Sequence, residues 1–217
     1  MHNIVNNLIL INKEISAINS NTKVIAVSKT FPIDKITPLI KHGHVHFGEN
    51  KVQEAVQKWS EVKKTNNNIK LHLIGKLQTN KVKFVLPLFD YIHSLDNAKL
   101  ASKIFQYEKE LNKKIKLFIQ VNIADETQKS GINVNDLNNF YHYCVKELSL
   151  NVIGLMCLPP IQKDSEEYFK KMKEIANQLN LKDLSMGMSS DYSKAVENGS
   201  TFLRLGTMIM GARKPIK

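Results

Sequence analysis

Only two of the 217 residues are cysteines, Cys144 and Cys157, and only one is tryptophan. Two unpatterned cysteines cannot build a disulfide scaffold or a zinc ribbon, which makes a reduced, cytoplasmic setting the default expectation. Long hydrophobic runs are missing too: no apolar stretch reaches the roughly 18 residues of a membrane span. The opening residues, MHNIVNNLILINKE, carry neither a basic leader nor a small-residue cleavage site, and no signal peptide is read there. No Gly/Ser/Pro-rich linker and no clean internal repeat divides the chain. A single domain over residues 1–217 is expected, with residues 1–20 as an N-terminal helix packed on it. Acidic residues are the minority: 31 basic against 20 acidic side chains give a net charge of +11 and a pI near 9.5. The basic residues are scattered, with no arginine-rich block and no RRM or zinc-finger signature, so nucleic acid is not the expected partner. A lysine-rich solvated surface accounts for them, with weak steering of acidic partners as a by-product.

What is present is alternation. Short apolar runs alternate with segments of helical spacing, the pattern of βα units and a parallel sheet. Val24–Ser28 (VIAVS) reads as a strand, followed by a helix over Ile33–Lys41. Val45–Phe47 precedes a helix over Lys51–Lys63, Leu71–Ile74 one over Asn80–Leu86, and Tyr91–Ser94 one over Lys99–Leu111. Ile115–Asn122 (IKLFIQVN) precedes Asp136–Leu148, Val152–Met156 precedes Ser165–Leu179, and Asp183–Met186 precedes Tyr192–Asn198. Phe202–Leu205 is the eighth strand, and a helix over Asn3–Ile18 stands in front of the first. Eight units in series predict a closed (β/α)8 TIM-type barrel. An open doubly wound sheet is the fallback, and no G-x-G-x-x-G follows any strand to support it.

The polar and glycine-rich signatures fall where apolar runs end. Lys29 follows VIAVS, Gly48-Glu49-Asn50 follows VHF, Gly75 follows LHLI, Ser94 follows YIH, and Asn122 ends the fifth run. Met156 ends the sixth, SMGMSSD (Ser185–Asp191) follows the seventh, and RLGT (Arg204–Thr207) straddles the end of the eighth. In barrel enzymes the C-terminal ends of the strands form the functional rim.

A lysine at a strand exit is by itself an ordinary surface residue. In a partly desolvated mouth, however, Lys29 would have its ammonium disfavoured and its amine made available for Schiff-base formation. Ser189, within small residues and hydroxyls ahead of a helix, and Gly206-Thr207 offer backbone amides and hydroxyl donors suited to a phosphate. The loops after strands seven and eight are where barrels often hold that group. A Schiff-base lysine with a phosphate cradle suggests two chemistries: pyridoxal 5'-phosphate (PLP) held on the lysine, or a class I aldolase acting on a sugar phosphate. Arg204 favours the first, because an arginine beside a pyridine nitrogen keeps that nitrogen unprotonated.

His42, His44 and His46 alternate and on a strand would share one face, with His72 as a further strand imidazole. No carboxylate or cysteine stands at matching ligand spacing, and no metal is expected. No G-x-S-x-G elbow appears, and Cys157 reads as a small hydrophobe.

At these residues the chain resembles the PLP homeostasis proteins, the PLP-binding YggS/PROSC family. VIAVSKTFP, HFGENKVQEA, HLIGKLQTNKVK, IHSLD, VNIADETQKSGI, GLMCLPP, LSMGMSSDYSKAVENGSTFLRLGT and IMGAR carry the resemblance from Val24 to Arg213. It implies a barrel like the N-terminal domain of alanine racemase, a fold type III PLP protein without the β domain, with PLP joined to Lys29. It further implies phosphate contacts from Ser189, Gly206 and Thr207, Arg204 near the ring, and Asn50, Ser94 and Met156 lining the pocket. His72 and Lys129 are implied as accessory residues. Departures from the family pattern are Lys51 after GEN, Leu71 before His72, and Lys76 after Ile74-Gly75.

The resemblance implies a buffer or carrier of intracellular PLP without established turnover. Racemisation needs an acid or base on each face of the substrate, and in alanine racemase the second is a tyrosine from a β domain across the mouth. This chain ends at Lys217, and that domain is expected to be absent. A narrow-scope PLP-dependent racemase or lyase is the alternative, and a cationic nucleic-acid or protein-docking module the remoter one. PLP-dependent apoenzymes are the implied partners, with a monomer favoured and no membrane association.

Overall fold

The computed structural model describes residues 4–126, 128, 130–160 and 163–212. The chain runs α1 (Ile4–Ile18), β1 (Lys23–Val27), α2 (Ile33–Lys41), β2 (His46–Glu49), α3 (Val52–Thr65), β3 (Lys70–Leu73), α4 (Val82–Leu88), β4 (Tyr91–Leu95) and α5 (Ala98–Leu111). It continues through β5 (Lys116–Asn122), β6 (Ile132–Asn133), α6 (Leu137–His142), β7 (Val152–Cys157), α7 (Ser165–Gln178), β8 (Asp183–Ser185), α8 (Tyr192–Glu197), β9 (Phe202–Leu205) and α9 (Thr207–Met210). All the strand pairings are parallel, and the order β4-β3-β2-β1-β9-β8-β7-β5 closes on itself through β4 and β5. The expected eight-stranded barrel is the fold. Parallel strands buried on both faces explain why their sequences read as continuous apolar runs.

The helices follow local rules. In α5 the Asn97 side chain accepts the Leu100 amide at 2.9 Å, an N-cap, and the apolar stripe of Leu100, Ala101 and Ile104 lies against the barrel. Asn112 ends the helix in the left-handed region, at φ 47°. Asp164 caps α7 by accepting the Glu166 amide at 3.0 Å. The N-terminal helix α1 buries Leu8, Ile11 and Ile15 and contacts α2, α8 and α9.

Two local features depart from the expected pattern. The helix expected over Asp136–Leu148 is broken into a 3-10 turn, α6, and a π-turn over Tyr143–Glu147, marked by the Leu148 amide reaching back to the Tyr143 carbonyl at 3.2 Å. The short β6 is an added strand alongside the end of β5. Gly131 makes that approach possible: its φ is +132°, and a Cβ there would lie 2.6 Å from the Asn122 nitrogen.

The core has two compartments. Ile25, Tyr91, Phe118, Met156 and Phe202 fill the barrel interior, while a larger cluster that includes Phe47, Trp59, Leu71 and Phe169 fills the space between strands and helices. Side chains alternate along each strand, so alternate positions of every strand run in a column up the inside of the barrel.

Candidate functional site

The strand ends converge as expected. Val27 pairs with Gly48, and Lys29 and Asn50 each lie two residues further on, at one level of the rim. Lys29 is half-buried. The turn after it contains Thr30 at φ 68°, a strained value for a β-branched residue. The Thr30 amide donates to Glu54 Oε1 at 2.6 Å, and Lys58 Nζ donates at 2.9 Å to the Ser28 carbonyl, Glu49 and Glu54. Glu49, fully buried, also accepts the Ser28 hydroxyl at 2.8 Å and Trp59 Nε1 at 3.0 Å. Burial opposes the Glu54 carboxylate, but the hydrogen bonds from Lys58 and Thr30 outweigh it and hold its pKa below the ordinary value. Helix α3 thus braces the backbone that carries Lys29.

On the other side of β1, Ala26 pairs with Leu205, which brings Gly206 and Thr207 beside the end of β1. The Thr207 hydroxyl donates to Ser189 Oγ at 3.2 Å, joining the loops after β8 and β9. Gly187 turns the β8 loop back at φ +92°, where a Cβ would lie 2.6 Å from the Ala195 Cβ. Asp191 fixes the loop, accepting the Met188 amide at 2.7 Å and donating its own amide to the Met188 carbonyl at 3.1 Å.

The remaining expected residues divide between rim and interior. Asn50 is half-buried, and its Oδ1 is buried without a hydrogen-bond partner. Ser94, the next-to-last residue of β4, donates to the Gly75 carbonyl at 2.7 Å. Met156 is fully buried in the inner cluster, level with Gln120 and Ser185. Arg204 is buried, with its guanidinium donating to Ser185 Oγ at 2.6 Å and to the Cys157 carbonyl at 2.8 Å. Burial lowers its pKa, and Cys157 and Asp191 act the other way. His72 is enclosed in the barrel between His46 and His93. Lys129 and Arg213 lie outside the described residues.

The alternating-strand premise for His42, His44 and His46 fails, because His42 caps the C-terminus of α2 and β2 starts only at His46. Among the described residues no group of three or more His, Cys, Asp or Glu is arranged to hold a metal ion. Burial pushes the Cys157 and Cys144 thiols up to about 12, which leaves both unreactive. Among the described residues no helix is long and apolar enough to cross a membrane. Glu54, Lys58 and His93 were not singled out from the sequence, and Glu49 and Ser185 entered only as members of strand-end segments with no role assigned. His72, His93, Ser185 and Arg204 lie on β3, β4, β8 and β9, and closure of the sheet brings them together.

The structure is a closed parallel (β/α)8 barrel with a lysine in the braced turn after its first strand and a hydroxyl contact joining the loops after its last two. Over residues 1–214 the chain matches the family described as alanine racemase, N-terminal domain. The pyridoxal phosphate homeostasis protein of Haemophilus influenzae is 37% identical, over 97% of this chain and 96% of its own. That of Aquifex aeolicus is 36% identical, over 88% and 87%. The solved structure of PipY from Synechococcus elongatus PCC7942 with PLP bound matches at a TM-score of 0.87 and 32% identity, over 96% of this chain and 100% of PipY. The chain belongs to the family of pyridoxal phosphate homeostasis proteins.

Proposed function

We propose that this chain binds PLP through the amine of Lys29 and serves in PLP homeostasis as a buffer or carrier, without turnover of its own. Residues 1–217 act in this reading as one cofactor-binding unit in the cytoplasm, delivering PLP to dependent apoenzymes as a monomer. The observation that carries it is the meeting of Thr207 and Ser189, hydroxyl to hydroxyl at 3.2 Å, on the loops after β9 and β8; β9 is paired with β1, which ends two residues before Lys29. The orphaned Asn50 Oδ1 also suits a polar ligand, since a buried acceptor without a partner is costly.

Bound PLP supplies an electrophilic aldehyde carbon and an electron-withdrawing ring. The Lys29 amine would be the group that holds the cofactor. Ser189 and Thr207 would donate hydrogen bonds to the phosphate, with Gly206 allowing the backbone close approach. Arg204 would serve as a donor to the ring nitrogen and keep it unprotonated, and Asn50, Ser94 and Met156 would line the pocket. The names carried by the relatives support homeostasis over catalysis.

Purified protein incubated with PLP and desalted is expected to be yellow, and the Lys29→Ala variant colourless. Clear racemisation or elimination of chiral amino acids by the loaded protein would replace this reading with an enzymatic one.

A further inference from the structure

A line of hydrogen bonds runs through the barrel from the rim toward the opposite mouth. It begins at Arg204, whose Nη1 donates to Ser185 Oγ at 2.6 Å. Ser185 Oγ lies 2.8 Å from His93 Nδ1, His93 Nε2 lies 2.9 Å from His72 Nδ1, and His72 Nε2 lies 2.9 Å from His46 Nδ1. Ser185, His93 and His72 are fully buried, and His46 is half-buried at the start of β2. Aromatic faces hold the rings in place: His93 stacks on Phe118 at 4.3 Å between centroids, and His72 on Tyr91 at 4.2 Å.

The line has a direction. A guanidinium only donates, so Ser185 Oγ accepts from Arg204. Among the described residues, the acceptor left for the Ser185 hydroxyl proton is His93 Nδ1. That nitrogen is then bare, and the proton of the neutral His93 ring sits on Nε2, from which it is donated to His72 Nδ1. The same logic puts the His72 proton on Nε2, donated to His46 Nδ1. Burial keeps His93 neutral by holding its pKa well below the ordinary value, with the Arg204 charge adding to the effect. Burial does the same for His72, helped by His93 and His46. Each donor in such a row polarises the next, which strengthens Ser185 as an acceptor for the arginine.

We propose that Ser185, His93 and His72 are positioning residues that hold the Arg204 guanidinium in one orientation toward the ring nitrogen of PLP, and so set the electronic state of the bound cofactor. The inference rests on the PLP reading above. With two of its donors tied to Ser185 and the Cys157 carbonyl, the guanidinium plane is fixed. Loss of the row frees it to turn.

The test compares His93→Phe, which fills the volume but ends the row, with His93→Gln, whose amide can accept from Ser185 and donate to His72. Ser185→Ala provides a second break with a smaller change in packing. His93→Phe and Ser185→Ala are expected to displace the long-wavelength absorption band of the PLP-loaded protein and to weaken PLP retention about tenfold, the effect of losing one charge-assisted hydrogen bond. His93→Gln is expected to restore both. Wild-type spectra and retention in both broken variants would overturn the proposal while leaving PLP binding intact. A wild-type protein that takes up no PLP would overturn both readings. Nitrogen-detected imidazole NMR on the chain without PLP supplies a separate check: His72 and His93 are expected as the Nε2–H tautomer, and an Nδ1–H tautomer in either would refute the direction of the row.

Discussion

Lowering the pH from 7.5 to 5.5 is expected to cost this protein a large part of its stability, through imidazoles enclosed in and under the barrel. Burial and their neighbours lower His44 and His46 to about 4, and hold His72 and His93 well below the ordinary 6.5. All four stay neutral in the folded protein across this range, whereas in the unfolded chain they titrate near 6.5. Below that value the unfolded state binds more protons, so stability falls with pH. The contribution is intact above pH 6.5 and drains between 6.5 and about 4 for His44 and His46, and lower still for the other two. A tenfold rise in the unfolded proton-binding factor is worth about 1.4 kcal/mol per group. With a discount for the partial exposure of His44 and His46, the four together amount to roughly 4 kcal/mol between pH 7.5 and 5.5. That is comparable to the whole stability of a small domain, about 5–15 kcal/mol. Urea denaturation of the PLP-free protein at fixed ionic strength measures it, and His93→Phe should reduce proton uptake on unfolding by about one. A change below about 1 kcal/mol over this range would refute the placement of neutral imidazoles in the interior.

Other perturbations probe the rim. Glu49→Ala removes the shared acceptor of Ser28, Lys58 and Trp59 and leaves Lys58 with one carboxylate partner instead of two. It is expected to cost about 3 kcal/mol in urea unfolding and to loosen PLP retention through the turn at Thr30. The double variant Ser189→Ala/Thr207→Ala removes the two hydroxyls at the phosphate end. Its thermal unfolding should stay near that of the wild type, while PLP dissociates at least tenfold more readily in equilibrium dialysis.

Much of this architecture was legible because chain order and strand ends are local properties. VIAVS, IKLFIQVN and FLRL are short apolar runs, and each ends at or beside a polar or glycine residue that the barrel then gathers at one rim. The interior was harder to read. A strand such as Lys23–Val27 is apolar on both faces, so the sequence does not show which residues face the axis and which face the helices. His93 and Ser185 each sit in runs that look like ordinary strand ends, and only closure of the sheet brings them within 2.8 Å. The brace of Glu49, Glu54 and Lys58 was hidden for a related reason, since it joins a strand to the helix that follows it by way of long side chains. The π-turn over Tyr143–Glu147 carries no Gly or Pro to mark it. The alternating histidines from 42 to 46 do not share a strand face, because the chain at His42 is still leaving α2 and β2 begins at His46.

The most direct measurement is chemical mapping of the lysine that holds the cofactor. Protein loaded with PLP, reduced with borohydride, digested and sequenced by mass spectrometry should carry the phosphopyridoxyl mass on Lys29. A modification found on other lysines, with Lys29 unmodified, would contradict the account.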